Sequence, residues 1–342
     1  MAWNSVLVDG YTFVIAEIGS NHNQDLSCAL DLIDAAAESG AQAVKFQSIR
    51  PDRLVHPQQI TRDDQALFEQ IKLNEEWYAP LFARAAQKNV LCFSAPTYLE
   101  AVQLLADRGA RLMKVASPQT YGFPQIIDAV ARTELPGIMS TGYCEIPEIS
   151  RAVDRFTAEG SKDNLLLLHC VSNYPTAPRD ANLRFMDTLR ERFRLPVGVS
   201  DHTLGWAVAV AAVARGASVI EKHITFSREQ SGPDHHFALE IPEFKEMISQ
   251  IREVESALGD GKKEELTLFE RDFRDSLIEY PFARTDLACG AVLRRDDIYF
   301  RRLKTGGGLS AWDCDALIGR KIRHAVKRDD PITADCVEDD YE

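Results

Sequence analysis

Short apolar runs recur along the chain, and stretches of helical length separate them. The runs are Val14–Ile18, Ala43–Phe46, Val90–Ser94, Leu112–Val115, Gly137–Ser140, Leu165–Cys170, Val197–Ser200 and Val219–Glu221. Runs this short and this uniformly apolar read as strands buried on both faces. Between them, apolar residues repeat at helical spacing over Cys28–Ser39, Trp77–Gln87, Leu99–Gly109, Pro124–Arg132, Pro147–Arg155 and Leu204–Arg215. Eight such β-α units within about 250 residues predict an α/β chain folded as a (β/α)8 TIM barrel. The alternative is an open doubly wound sheet. No GxGxxG fingerprint follows any run, which weakens that alternative.

Helix Pro242–Leu258 is expected to close the barrel. Beyond it Gly259-Asp260-Gly261 breaks the pattern, and Glu264–Arg274 is highly charged. From Ser276 onward the chain reads as short alternating runs with no long helix, the pattern of a small strand-rich domain. The expected division is a barrel over 1–263, a linker over 264–275 and a second domain over 276–342. The longest connection inside the barrel, Ser48–Leu67, is too long for an ordinary βα loop. It reads as a lid, a substrate-contacting loop or a surface insertion.

Polar groups stand at nearly every strand's C-terminal end, the rim where barrel active sites are built. In chain order they are Glu17, Lys45 and Gln47, Ser94, Lys114 and Ser117, Ser140, Ser172 and Tyr174, Ser200, His202 and His223. His202 and His223 follow two strands that a β-α-β crossover makes parallel, so both imidazoles open on one face, with Asp234 shortly beyond. Such a pair can hold a divalent metal. The plainer reading is two hydrogen-bonded histidines at a barrel rim. Lys45 and Lys114, among the serines, suit a phosphate or carboxylate. A Schiff-base lysine or a structural salt bridge to Glu17 or Glu221 are the rivals. A metal beside an anion site fits Lewis-acid polarisation of a carbonyl, and Glu17 is placed to move a proton. The residues alone thus suggest a metal-dependent barrel enzyme joining a phosphorylated anion to a carbonyl compound.

Bulk properties narrow the partners. The formal net charge of −13 argues against nucleic acid and anionic membranes. Seven scattered cysteines without a CxxC suit reduced thiols in a cytoplasm. The start, MAWNSVLVDG, has neither a basic nor an apolar leader region, and Trp206–Ala214, the most apolar segment, is far too short to span a membrane. A cytoplasmic location is expected.

VIAEIGSNHN, AVKFQ, LMKVAS, IMSTGY, LLHCVSNYPT, GVSDHTLG, EKHIT and GPDHHFAL, in this order, resemble the sialic acid synthase (nonulosonate synthase) family. SLIEYPFARTDLACGAVLRRDDI and ALIGRKIRHAVKRDDPIT resemble that family's C-terminal antifreeze-like (SAF) domain. The resemblance implies condensation of phosphoenolpyruvate with an N-acetylmannosamine-type sugar. It implies Mn2+ or Mg2+ on His202 and His223, and Glu17 as the catalytic carboxylate. By the same resemblance Lys45, Lys114, Ser117, Ser140 and Ser200 contact phosphoenolpyruvate, and Gln47, Tyr174 and Asp234 face the sugar. It further implies a homodimer whose SAF domain covers the partner's barrel and supplies an arginine, Arg302 or its neighbour Arg301. The chain departs from the family pattern at Arg302-Leu303-Lys304-Thr305-Gly306-Gly307-Gly308, at Pro118-Gln119 and at Ala95. The acceptor is therefore left open among sialic, legionaminic and pseudaminic acid precursors or a less usual sugar aldehyde. A Schiff-base aldolase on Lys114 and a non-catalytic sugar-binding barrel are the competing functions.

Overall fold

The computed structural model describes residues 2–263, 265–303 and 308–338. The chain divides into two compact units, Met1–Asp260 and Gly261–Glu342.

The first unit is a nearly closed parallel barrel. Its strands are β1 Phe13–Gly19, β2 Ala43–Ser48, β3 Leu91–Pro96, β4 Met113–Val115, β5 Gly137–Ser140, β6 Leu165–Cys170, β7 Val197–Asp201 and β8 Val219–Thr225. Hydrogen-bonded neighbours run β3-β2-β1-β8-β7-β6-β5-β4, and the two ends of that path, β3 and β4, pack against each other. A short β9, Leu239–Glu240, adds to β8 beyond the rim. All eight expected strands are present, with ends shifted by a few residues.

Alternation along each strand sorts the core into two layers, because successive side chains point to opposite faces. Val14, Ala16, Val44, Met113, Val115, Met139, Leu165, Leu167, Val197, Val199 and Ile220 pack outward against helix residues such as Leu32, Leu81, Ile126 and Phe156. Phe13, Ile15, Ala43, Phe93, Leu112, Ile138, Leu166, Leu168 and Val219 fill the interior. Trp3 belongs to this inner cluster, fully buried, with its indole N–H donating to the Gly137 carbonyl at 3.0 Å. The inner cluster lies toward the strand starts, so polar inward residues are left for the C-terminal ends.

Two segments differ from expectation. The connection after β2 is not an open loop: it folds as Pro51–Leu54, a turn at Pro57–Gln59 and helix Arg62–Ile71. A capping box between Thr61 and Asp64 starts that helix, and Phe68 buries its inner face. The charged segment after the barrel likewise contains helix Leu268–Arg274, capped by Thr267 and Glu270.

The second unit is strand-rich, as expected. Antiparallel strands β10 Glu279–Ala283 and β11 Ile298–Arg302 pair with Glu279 opposite Arg302. Single bridges, including Leu287 with Val326 and Ile322 with Val337, complete the frame. Its own core gathers Ala283, Leu287, Leu293, Ile298, Leu317, Ile322, Val326 and Ile332. Arg301 lies over the Tyr299 ring and donates to the Phe300 carbonyl. Residues 304–307, where the chain departs from the family pattern, lie outside the described residues.

Candidate active site

Continuing the inward alternation past the apolar layer gives Glu17 on β1, Lys45 and Gln47 on β2, Lys114 on β4, Ser140 on β5, Cys170 on β6, Ser200 on β7 with His202 just after its end, and Glu221 and His223 on β8. These residues share one end of the barrel, and all but Gln47 are buried.

Their centre is a buried charge network. Lys45 Nζ lies 3.0 Å from Glu17 Oε1 and 3.3 Å from Glu221 Oε1. Lys114 Nζ donates to Glu221 Oε2 at 2.7 Å. Ser200 Oγ donates to Glu221 Oε1 at 2.9 Å, and Gln47 Nε2 to Glu17 Oε1 at 2.7 Å. Environment separates the two carboxylates. Burial, outweighing the Lys45 charge, lifts Glu17 above the usual carboxylate range. Burial also acts on Glu221, but Lys114 and Lys45 together hold it well below that range. Burial lowers Lys114 from the ordinary lysine value, whereas at Lys45 the two glutamates outweigh burial and raise it. Glu17 Oε2 is buried without a hydrogen-bond partner. Glu17 is thus the carboxyl group suited to hold and release a proton, and Glu221 the permanent anion that keeps the lysines charged.

Beside this network the serines converge on Gly142. Its backbone N–H donates to Ser117 Oγ at 3.1 Å. A Cβ built there would lie 2.2 Å from Ser172 Oγ and 2.7 Å from Ser117 Oγ, so only glycine leaves that space free. Ser140 Oγ is buried with no partner. Ser94 is not part of this group. It belongs to the outward face of β3, where its Oγ lies 2.7 Å from Ser48 Oγ, which also bonds Tyr78. Strand-end position placed Ser94 at the rim, but side-chain parity turns it away.

The two imidazoles lie with ring centroids 5.4 Å apart. His202 Nδ1 is 3.0 Å from the Val171 carbonyl, which can only accept. Nδ1 therefore carries a hydrogen. Burial alone would lower this ring, but the Cys170 thiol and the Val171 carbonyl outweigh it and raise His202 above the ordinary histidine value. Burial holds His223 well below the ordinary histidine value, so its ring is neutral. Its buried Nδ1 has no hydrogen-bond partner, and the 3.8 Å approach of Asp234 Oδ2 is too long to be one. Two imidazoles this close fit a divalent cation once His202 gives up its Nε2 proton, since a metal-ligating ring must be neutral. Among the described residues no group of three or more His, Cys, Asp or Glu side chains is arranged to hold a metal ion.

Aromatic rings wall the histidines. Tyr174 stacks at a tilt 4.3 Å from His202, and Phe237 stands edge-on 4.8 Å from His223. Asp234 accepts from Ser20 Oγ at 3.2 Å. Gly19, at φ +53°, brings these groups close: a Cβ there would lie 3.1 Å from Asp234 Oδ2 and 3.3 Å from Glu17 Oε1. Sequence reading did not assign Glu221, Cys170 or Phe237 to the site. For Glu221 and Cys170 the signal was available, since each shares inward parity with a recognised site residue. Phe237 sits in a single 3-10 turn, His235–Phe237, too short to show a period. Arg302 lies at the end of β11 in the second unit, exposed.

Among the described residues no helix is long and apolar enough to cross a membrane. The profile of the NeuB family matches residues 32–263, and that of the SAF domain matches residues 281–338. The chain is 34% identical to the N,N'-diacetyllegionaminic acid synthase of Campylobacter jejuni, over 94% of this chain and 98% of that protein. It is 34% identical to the pseudaminic acid synthase of the same organism, over 95% and 96% of the two chains. The crystal structure of the N-acetylneuraminic acid (sialic acid) synthetase from Leptospira borgpetersenii superposes with a TM-score of 0.71 at 32% identity, covering 79% of this chain and 94% of that one. The buried lysine–glutamate barrel and the strand-rich second unit therefore belong to one recognised architecture: the chain is a member of the NeuB family, the nonulosonic acid synthases, and carries a C-terminal SAF domain.

Proposed function

We propose that this chain condenses phosphoenolpyruvate with the open-chain aldehyde of an N-acetylmannosamine-type sugar and releases phosphate. The observation that carries this reading is the pairing of Lys45 and Lys114 around Glu221, beside the partly unpartnered serines. When Glu17 is protonated, two ammonium groups face one carboxylate, and the site carries a net positive charge for a phosphate or carboxylate ligand. Ser117 and Ser172, whose hydroxyls come close only because Gly142 lacks a side chain, and the unpartnered Ser140 would supply hydroxyl donors. Tyr174, Gln47 and Asp234 would contact the sugar.

In the proposed reaction, carbon 3 of phosphoenolpyruvate forms a bond to the aldehyde carbon, and the aldehyde oxygen gains a proton to become a hydroxyl. Water adds at carbon 2 and gives up a proton. The carbon 2–oxygen bond to phosphate then breaks as the new hydroxyl's proton passes to the departing phosphate, leaving a ketone. Glu17 Oε2, unpartnered and on a carboxyl group of raised proton affinity, holds the proton that these steps exchange. Lys45 and Lys114 hold the phosphate and carboxylate and offset the charge of the departing phosphate. A cation such as Mn2+ or Mg2+, held by His202 and His223, would supply Lewis-acid polarisation of the acceptor carbonyl. The names of the relatives support an acidic sugar product.

One observation favours a second reading. Lys114 is buried and its proton affinity is depressed, as a Schiff-base lysine requires. Borohydride trapping with pyruvate separates the two, since only an aldolase leaves a reduced, mass-shifted Lys114. The condensation itself is tested by phosphate release from phosphoenolpyruvate with a panel of N-acylated hexosamines, with and without chelator. The proposal expects release that needs both acceptor and metal. Release in EDTA, equal with and without acceptor, would sink it.

A further inference from the structure

Two more buried charges lie directly behind the paired imidazoles and take no part in the chemistry above. On β7 and β8, Val199 and Ile220 pack outward against the helices while Ser200 and Glu221 meet inside. Asp201 and Lys222 continue the outward set and are direct partners in the strand register. Each side chain is 1% exposed, and Lys222 Nζ donates to Asp201 Oδ2 at 2.7 Å. The next residue in the chain after each is a histidine of the site, His202 just past β7 and His223 on β8.

The bonds of this pair close around His202. Lys222 Nζ also donates to the Thr203 carbonyl at 2.5 Å, and Asp201 Oδ1 accepts from the Thr203 N–H at 2.9 Å. The His202 carbonyl in turn accepts from the Thr176 N–H at 2.9 Å. The residues before and after His202 are thus tied to one ammonium group, and that group belongs to the neighbour of His223. A buried ion pair contributes little net stability compared with apolar residues of the same shape, so stability alone does not account for it. Its geometric effect is specific: it fixes the end of β7, where the backbone turns into a loop, against the end of β8.

We propose that the Asp201–Lys222 pair is a positioning clamp that sets the separation and orientation of His202 and His223, and thereby the affinity of the barrel for its divalent cation. This rests on the metal reading given above. Groups that orient metal ligands from behind typically change metal affinity about 10–100-fold when removed.

The test is Mn2+ binding to the metal-free full chain, followed by the free-ion EPR signal, beside calorimetry of phosphoenolpyruvate without metal. The double variant Asp201→Asn with Lys222→Met removes both charges together and avoids leaving one buried alone. It is expected to fold, to bind phosphoenolpyruvate as the parent does and to bind Mn2+ at least about tenfold more weakly. A merely structural role would weaken both ligands together, and unchanged Mn2+ affinity would likewise overturn the clamp. Should the double variant fail to fold, Asp201→Asn alone is read. It keeps the side-chain shape and the bond from Lys222 to Thr203, and a smaller but still selective loss of Mn2+ affinity is expected; no change overturns the proposal. His202→Ala run in parallel separates the two levels. If it loses Mn2+ while the clamp variants do not, only the clamp falls. If it too binds Mn2+ as the parent does, the metal reading falls and the clamp with it.

Discussion

At the level of single residues, the account turns on which buried charge can change. Glu17 and Glu221 are the same side chain on neighbouring strands, yet burial raises one and two lysines lower the other. Replacing Lys114 by Ala leaves Glu221 with Lys45 as its remaining cation and removes a charge from the anion site. Calorimetry should show phosphoenolpyruvate binding weakened by about 3 kcal/mol, roughly a hundredfold in Kd; equal affinity would reject the assignment. A second residue tests burial alone. His22 sits between Trp77 and Phe46, and burial lowers it to about 4 from 6.5. The folded state resists protonation there, so stability present above about pH 6.5 is lost as pH falls and levels off near pH 4. The window corresponds to about 3 kcal/mol. Denaturant unfolding of His22→Phe should therefore gain about that much on the parent between pH 7 and pH 4. A constant difference would show that His22 titrates normally. Glu17, Lys45 and Lys114 stand out in sequence as charges inside apolar runs, and His202 and His223 as imidazoles just after runs. Glu221, the last residue of its run, reads from sequence only as a salt-bridge partner.

The elements were legible where burial on both faces leaves an uninterrupted apolar run, as in Leu165–Cys170. They were less so where one face is charged. Helix Phe185–Phe193, FMDTLRERF, buries only Met186, Leu189 and Phe193, so its apolar stripe is faint among the charges. Helix Arg62–Ile71 was hidden by its acidic first turn, although Thr61 and Asp64 carry the capping signal. Ser94 shows the remaining gap: a strand's end can be read from sequence, but the face of its last residue needs the register. Two glycines test the geometry of strands and rim separately. A Cβ on Gly198 of β7 would lie 2.2 Å from the Val219 carbonyl oxygen, a backbone atom that cannot move aside. Gly198→Ala should cost about 1–3 kcal/mol or more in thermal unfolding. Gly142→Ala instead meets the tips of Ser117 and Ser172, which can rotate. It should keep its stability and lose phosphoenolpyruvate affinity. The reverse pattern would mean that the serine cluster is structural and the β7–β8 spacing slack.

At the scale of the whole molecule, the division into a barrel and a smaller strand-rich unit was legible because the period of the pattern changes after Leu258. The helix at Leu268–Arg274 was not, since its charged residues read as a linker. The proposed homodimer, with Arg302 reaching a partner's barrel, gives a complementation test. A chain truncated before Ser276 keeps an intact barrel; a full-length His202→Ala chain keeps an intact second unit. Each alone should be inactive, and a mixture should regain turnover if the second unit serves the partner chain. A mixture that stays inactive, or a monomer by light scattering at working concentration, would remove that arrangement.

The central claim is that this molecule breaks the carbon–oxygen bond of phosphoenolpyruvate while forming a carbon–carbon bond to a sugar aldehyde. Phosphoenolpyruvate labelled with 18O in the bridging position tests it most directly, with Mn2+ and N-acylated hexosamine acceptors and mass spectrometry of both products. The account predicts phosphate that retains the label, formed one for one with a 3-deoxy-2-keto acid that contains the sugar carbons. Unlabelled phosphate, or labelled phosphate without that keto acid, would contradict it.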